Sequence, residues 1–298
     1  MGKMDSAILA ALCATVGFAA GDIFTALLAR LVNGKASMLL LTIIKVLIYV
    51  PFILLWRHEY AHLDGETIAW IVLLGVLFTI AYVGFNMAFQ VGKNPALVGV
   101  VAGCFPASAS VVAVLFLGQR PSPLTVCLLL AVLGGVVLIG LPKEWRTSLS
   151  IDKGILLALL PLVCWGIFGA LLNEPVHRIN TAHAWFVVQS LVAVVMALGT
   201  LLLYNKGIPG IVRATTQKKA WKLAIPAGVI IGVAEALQAF SLSSGREIVI
   251  IETLLGSYPA LYFLVAHKIF KEPLITRQWY GIGVVVVSIV LLSVGAIS

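Results

Sequence analysis

Residues 225–267 read IPAGVIIGVAEALQAFSLSSGREIVIIETLLGSYPALYFLVAH. Two apolar arms flank the polar turn Ser243-Ser244-Gly245-Arg246, and each arm carries one carboxylate well inside its apolar run, Glu235 before the turn and Glu252 after it. Folded back on the turn as helices, the two acids come to nearly the same depth. At a rise of about 1.5 Å per residue that depth is roughly 12–14 Å, close to the middle of a hydrocarbon core about 30 Å thick. Ionisable groups at such a depth are expensive and face a cavity or a partner rather than lipid. The stretch therefore reads as a transmembrane hairpin with a polar centre.

The whole chain agrees. Of its 298 residues 61% are hydrophobic and 11% charged, against about 45–50% and 25% in soluble domains. Apolar segments of helix-spanning length without sustained period-two alternation favour a helical bundle over a membrane barrel. Ten spans can be drawn, at 6–30, 37–56, 67–89, 94–117, 121–141, 153–174, 182–204, 219–242, 247–268 and 275–296. The expected fold is an all-α integral membrane protein of ten transmembrane helices.

The chain also repeats itself. Ile23-Phe24-Thr25-Ala26-Leu27-Leu28 matches Ile167-Phe168-Gly169-Ala170-Leu171-Leu172, and Ala69-Trp70 matches Ala220-Trp221. Ala88-Phe89 matches Ala239-Phe240, and Phe105-Pro106-Ala107 matches Tyr258-Pro259-Ala260. The offset grows from 144 to 153, as small loop insertions produce. The reading is two five-helix repeats, residues 1–146 and 147–298. Because five is odd, they enter the membrane from opposite sides as an inverted repeat, with a site expected near the midplane.

The formal charge of +8 would suggest nucleic acid for a soluble chain, but here the basic residues sit mostly in loops. No nucleic-acid partner is expected. Lys3, Arg57, Arg120, Arg178 and Arg246 occupy one set of ends and loops, and fourteen Lys and Arg occupy the other. The positive-inside bias then puts both termini outside. Cys13, Cys104, Cys127 and Cys164 lie within apolar spans without CxxC spacing and read as packing residues. No HExxH, GxSxG or P-loop is present, so neither an intramembrane enzyme nor nucleotide-driven transport is expected, and no metal or cofactor.

Leu117-Gly118-Gln119-Arg120-Pro121 closes the fourth span and Phe270-Lys271-Glu272-Pro273-Leu274 the ninth. Both resemble the "LGE" turn of the drug/metabolite transporter (DMT) superfamily, in particular its EamA-type ten-helix members. Ser257-Tyr258-Pro259-Ala260 and Gln278-Trp279-Tyr280-Gly281 resemble other recurrent patterns of that family. Gln119 stands where an acid is common, so that acid is not essential here. The resemblance implies a carrier whose helices 1, 3, 4, 6, 8 and 9 line a central cavity, with 5 and 10 at the outer edge. The superfamily handles amino acids, amines, sugars, nucleotide sugars and drugs.

Candidate site residues follow from depth and spacing. Asp22 and Lys45 lie at similar depths on either side of a turn near Gly34, so they are expected to pair with each other, as a structural ion pair or as a gate. Glu235 and Glu252, with no base at their depth on the same hairpin, cannot both ionise cheaply. One is expected to hold a proton that could be exchanged for a cation. Tyr82 and Asn86 share a helix face; Gln238 lies one turn from Glu235; Tyr258 and Tyr262 flank the Glu252 face. Most tryptophans sit at span ends as interfacial anchors, whereas Trp165 is near the middle of helix 6, which lines the cavity by resemblance. Acids with aromatic walls suit an organic cation or amine. Pro106 and Pro259 recur at equivalent mid-span positions and are expected to kink helices 4 and 9 as hinges.

The expected function is a secondary active transporter, an exporter of a small metabolite, amine or organic cation, coupled to protons and working by alternating access. The alternative is a pH-independent facilitative carrier or exchanger of a neutral or zwitterionic metabolite such as an amino acid or sugar. Partners are membrane lipid, the small-molecule substrate and protons; the chain is a monomer or homodimer in a bacterial inner (plasma) membrane.

Overall fold

The computed structural model describes residues 4–60, 63–118, 120, 122–140, 152–179, 183–203, 216–242, 251, 254–256, 258–271 and 274–297. Among the described residues the regular structure is entirely helical. The helices are α1 (Met4–Val32), α2 (Gly34–Leu55), α3 (Arg57–Tyr60), α4 (Gly65–Val91), α5 (Pro95–Gly103), α6 (Phe105–Phe116) and α7 (Pro123–Gly140). They are followed by α8 (Lys153–Leu171), α9 (Asn173–Ile179), α10 (Ala184–Leu203), α11 (Lys218–Leu242), α12 (Tyr258–Phe270) and α13 (Thr276–Ile297).

Seven helical stretches among the described residues are long and apolar enough to cross a membrane. The protein is therefore a multi-pass membrane protein with an all-α fold. The fourth drawn span is broken at Cys104 into α5 and α6, and the sixth runs on through Leu172 into α9. Much of the ninth, including Glu252 and Ser257, lies outside the described residues.

Local chemistry sets the helix ends. Asn33 takes a positive φ of 86° and its side chain accepts from the Ala36 amide, turning α1 sharply into α2. Asp64 caps α4 by accepting from the Thr67 amide at 2.7 Å, and Asn94 caps α5 by accepting from Leu97 at 3.1 Å. Such caps satisfy amides that have no partner within the helix.

Pro106 corrects an expectation. It does not kink a continuous helix from within but is the second residue of α6; the residue that precedes Tyr258 and Pro259 lies outside the described residues. At the first turn of a helix the missing N–H removes no intrahelical bond, so proline starts a helix at little cost. The interruption before α6 is at Cys104, whose amide turns back to the Val101 carbonyl at 3.3 Å.

Packing pairs are related by exchange of the chain's two halves. α1 packs along α11 as α4 packs along α8, and α2 on α11 as α10 on α4. α1 on α12 is matched by α8 on α6. The pairs α2 with α10 and α7 with α13 are their own counterparts. Large apolar side chains such as Leu47, Phe116 and Leu202 point outward, while the centre is closely packed, the distribution expected when lipid covers the exterior.

Small residues set the distances that matter for the site. A Cβ at Gly17 would come 2.8 Å from the Ala234 Cβ, and one at Gly21 would overlap Ile231. That close approach brings Asp22 on α1 alongside Glu235 on α11. Gly228 gives the same access to α2, since a Cβ there would lie 2.7 Å from Ile44, the neighbour of Lys45. Tight backbone approach through glycine is how membrane helices gain packing energy without a hydrophobic drive between them.

Candidate functional site

Three ionisable side chains meet in the bundle centre. Lys45 of α2 is buried and its Nζ donates to Glu235 Oε1 on α11, an ion pair joining the two halves of the chain. The Tyr82 hydroxyl of α4 donates to the same oxygen at 3.1 Å. The Lys45 ammonium also lies over the Tyr82 ring, 4.0 Å from its centroid, and over Phe78 at 4.6 Å. Tyr49, one turn beyond Lys45, donates to the Gly232 carbonyl at 3.1 Å and ties α2 to α11 beside the pair.

Asp22 completes the cluster. Its buried carboxyl interacts with the Tyr258 hydroxyl and lies close enough to feel the charges of both Glu235 and Lys45. The expected pairing of Lys45 with Asp22 is therefore corrected. Depth along two neighbouring helices does not fix rotation about their axes, and Lys45 is turned toward α11. The fully ionised cluster of Asp22, Glu235 and Lys45 carries two negative charges and one positive.

Asp22, Glu235 and Tyr82 face a cavity also lined by Phe18, Phe78, Phe105, Trp165, Phe168, Ile231, Gln238 and Tyr258. These residues come from the first, third, fourth, sixth, eighth and ninth spans, the set that the family resemblance implied. The helices α7 and α13 pair with each other and contribute none. The cavity measures about 30 Å³ to the centres of water-sized molecules, room for one or two waters. Any organic solute therefore enters only with movement of the walls.

The walls are a continuous aromatic surface. Trp165 meets Phe85 at 4.9 Å, Tyr82 at 5.5 Å and Phe105 at 5.7 Å between ring centroids. Phe105 meets Tyr258 at 5.9 Å. Tyr258 is seated over Gly103, where a Cβ would lie 2.7 Å from its hydroxyl. Phe105 and Tyr258 are the aligned residues of the internal repeat, and both line the cavity.

Two candidates fall elsewhere. Asn86 is fully buried, with Nδ2 donating to the Tyr82 carbonyl at 2.9 Å and Oδ1 accepting from Ser37 at 2.7 Å. It fastens α4 to α2 and does not line the cavity. Tyr262, one turn past Tyr258, lays its ring on Gly99 and donates to the Pro95 carbonyl at 3.0 Å, bracing α12 on α5. Glu252 lies outside the described residues. Phe18, Phe78 and Ile231 were missed in the sequence although a signal was present: each stands four residues before Asp22, Tyr82 or Glu235, on the same helix face.

A helical membrane bundle enclosing a buried polar cluster within aromatic walls is an architecture suited to carrying small solutes. Sequence comparison gives the family: the model of the EamA-like transporter family matches residues 5–141 and 152–294, and the chain belongs to that family of DMT-type transporters. An uncharacterised protein of Methanocaldococcus jannaschii is 28% identical over 143 residues, 48% of this chain and 98% of the relative. A solved crystal structure superposes with a TM-score of 0.68 at 17% identity, covering 98% of this chain and 97% of the other. At that identity the likeness concerns the fold.

Proposed function

We propose that the protein is a secondary active transporter of a small amine or organic cation, an exporter coupled to protons, and not an enzyme. The observation that carries this reading is the unequal charge of the buried cluster. Lys45 balances one of Asp22 and Glu235 and leaves the other, and a buried unbalanced charge is strongly disfavoured. A proton or a cationic solute can each supply the missing positive charge, and both at once would exceed it. Mutual exclusion of that kind is the minimum an antiporter needs. The aromatic walls add cation–π attraction of about 0.5–2 kcal/mol per well-placed ring.

Alternating access would then act through two inverted five-helix repeats, residues 1–146 and 147–298, within ten spans. The exchange-related packing pairs support that reading, as does a relative that aligns with about half of this chain. Pro106, at the start of α6, and Pro259 are the proposed hinges. We place the carrier, as a monomer or homodimer, in a bacterial inner membrane with both termini outside.

The test is transport in proteoliposomes. An outward gradient of an amine should drive proton movement in the opposite direction, and Asp22→Asn should abolish that coupling while the protein stays folded. One observation favours a second reading. The Lys45–Glu235 pair neutralises itself, so a site using only that pair would suit a zwitterionic or neutral metabolite carried without protons. Solute exchange that is indifferent to pH and to Asp22→Asn would establish that alternative.

A further inference from the structure

Trp165 lines the central cavity, and among the lining residues it alone carries a buried side-chain donor without a hydrogen-bond partner among the described residues. The side chain is 8% exposed, and its indole Nε1 finds no acceptor. The other such atoms, on Tyr60, Asn173, Gln189 and His267, belong to residues that do not line this cavity. Buried donors are almost always satisfied, so an orphan on a cavity wall calls for a ligand or water to complete it.

Its position relative to the charges can be followed ring by ring. Tyr82 touches Trp165 at 5.5 Å between centroids and hands its hydroxyl to Glu235 at 3.1 Å. On the other side Phe105 stands between Trp165 and Tyr258, which faces Asp22. Trp165 is thus one aromatic ring from Glu235, through Tyr82, and two from Asp22, through Phe105 and Tyr258. A solute whose amine meets the carboxylates reaches Trp165 with its far end after a few bonds.

Resting on the amine reading above, we infer that the transported solute is a short dipolar amine bearing an acceptor oxygen, and that the Trp165 indole N–H is the donor that selects for it. Wholly hydrocarbon amines would fit the aromatic walls equally well but leave this donor unpaired. A solute that supplies an acceptor pairs this N–H, which a hydrocarbon chain cannot do. Discrimination of this type exceeds what an apolar pocket achieves by shape.

The experiment measures binding to purified full-length protein by calorimetry, with pentylamine, 5-aminopentan-1-ol and 5-aminopentanoate as probes. In the native protein the two oxygen-bearing probes should bind about tenfold more tightly than pentylamine, the scale of one buried hydrogen bond. Trp165→Phe should erase that preference, read as the ratio of oxygen-bearing-probe to pentylamine affinity within the variant. Replacing Trp165 by benzothienylalanine, which keeps the bicyclic shape and lacks the N–H, should do the same and covers any loss of packing in the phenylalanine variant. Equal affinities in the native protein, or a preference that survives both replacements, would overturn the inference. Pentylamine binding that needs Asp22 or Glu235 would leave the amine reading standing in that case. Failure of all three probes to bind would remove both.

Discussion

Lys45→Met separates the Lys45–Glu235 pair from every other contact in the core. Both side chains are at least 95% buried, so the methionine leaves Glu235 as a carboxylate in a low-dielectric interior with only the Tyr82 hydroxyl on its oxygen. Breaking a buried ion pair in this way costs about 3–5 kcal/mol, whereas replacing both partners by well-packed neutral groups is often neutral or stabilising. Methionine fills much of the lysine volume, so little of the loss is a cavity effect. Glu235→Gln keeps a side-chain carbonyl for Tyr82 and removes the charge. The double variant Lys45→Met/Glu235→Gln should therefore unfold within about 1 kcal/mol of the native protein, although Lys45→Met alone is among the least stable single variants. The assay is reversible unfolding in mixed micelles by denaturing detergent, read by tryptophan fluorescence. Lys45→Met/Asp22→Asn serves as the control, because it tests the partner that depth alone would have chosen. Losses that add to within about 0.5 kcal/mol, or equal rescue by Asp22→Asn, would refute the pairing and the charge inventory built on it.

Tyr82→Phe removes a hydroxyl donated to a buried carboxylate and should cost about 1.5–3 kcal/mol of stability, while weakening amine binding through the altered setting of Glu235; thermal unfolding and calorimetry on one preparation check both. Gly281→Ala would place a methyl 2.8 Å from the Gly135 carbonyl oxygen and should cost about 1–3 kcal/mol by overpacking α13 on α7. Because that pair lies away from the cavity, transport per folded molecule in proteoliposomes should be unchanged. The Asp64 carboxyl, held by Thr67 and assisted by Arg178, titrates below the usual aspartate range. A lowered folded-state value means its capping contribution is complete above the unfolded value and disappears as pH falls through the folded one, so Asp64→Ala should reduce the acid sensitivity of unfolding over that interval. Replacing Pro106 and Pro259 together by alanine should slow transport more than it weakens solute binding, and an unchanged transport rate would remove the hinge assignment.

Much of the organisation was legible in the chain. Apolar length and the scarcity of charge defined a helical membrane protein, because lipid leaves backbone groups no partner outside the helix. The repeat marked Phe105 and Tyr258 as equivalents, and both stand at the cavity. Depth identified Asp22, Lys45 and Glu235 as interior groups, since charged residues in the core are retained only where something compensates them.

What depth could not determine was who meets whom. Lys45 could pair with an acid on its own hairpin or on a helix nearly two hundred residues away, and the choice depends on rotation about each axis. That rotation is set by Gly17, Gly21 and Gly228, which let α1 and α2 close on α11 and turn the three charges to one centre. Asn86 and Tyr262 show the same limit: one helical turn decides whether a polar side chain faces a cavity or braces a neighbour. Periodicity along a segment determines which faces are polar, and only packing between segments decides what those faces touch.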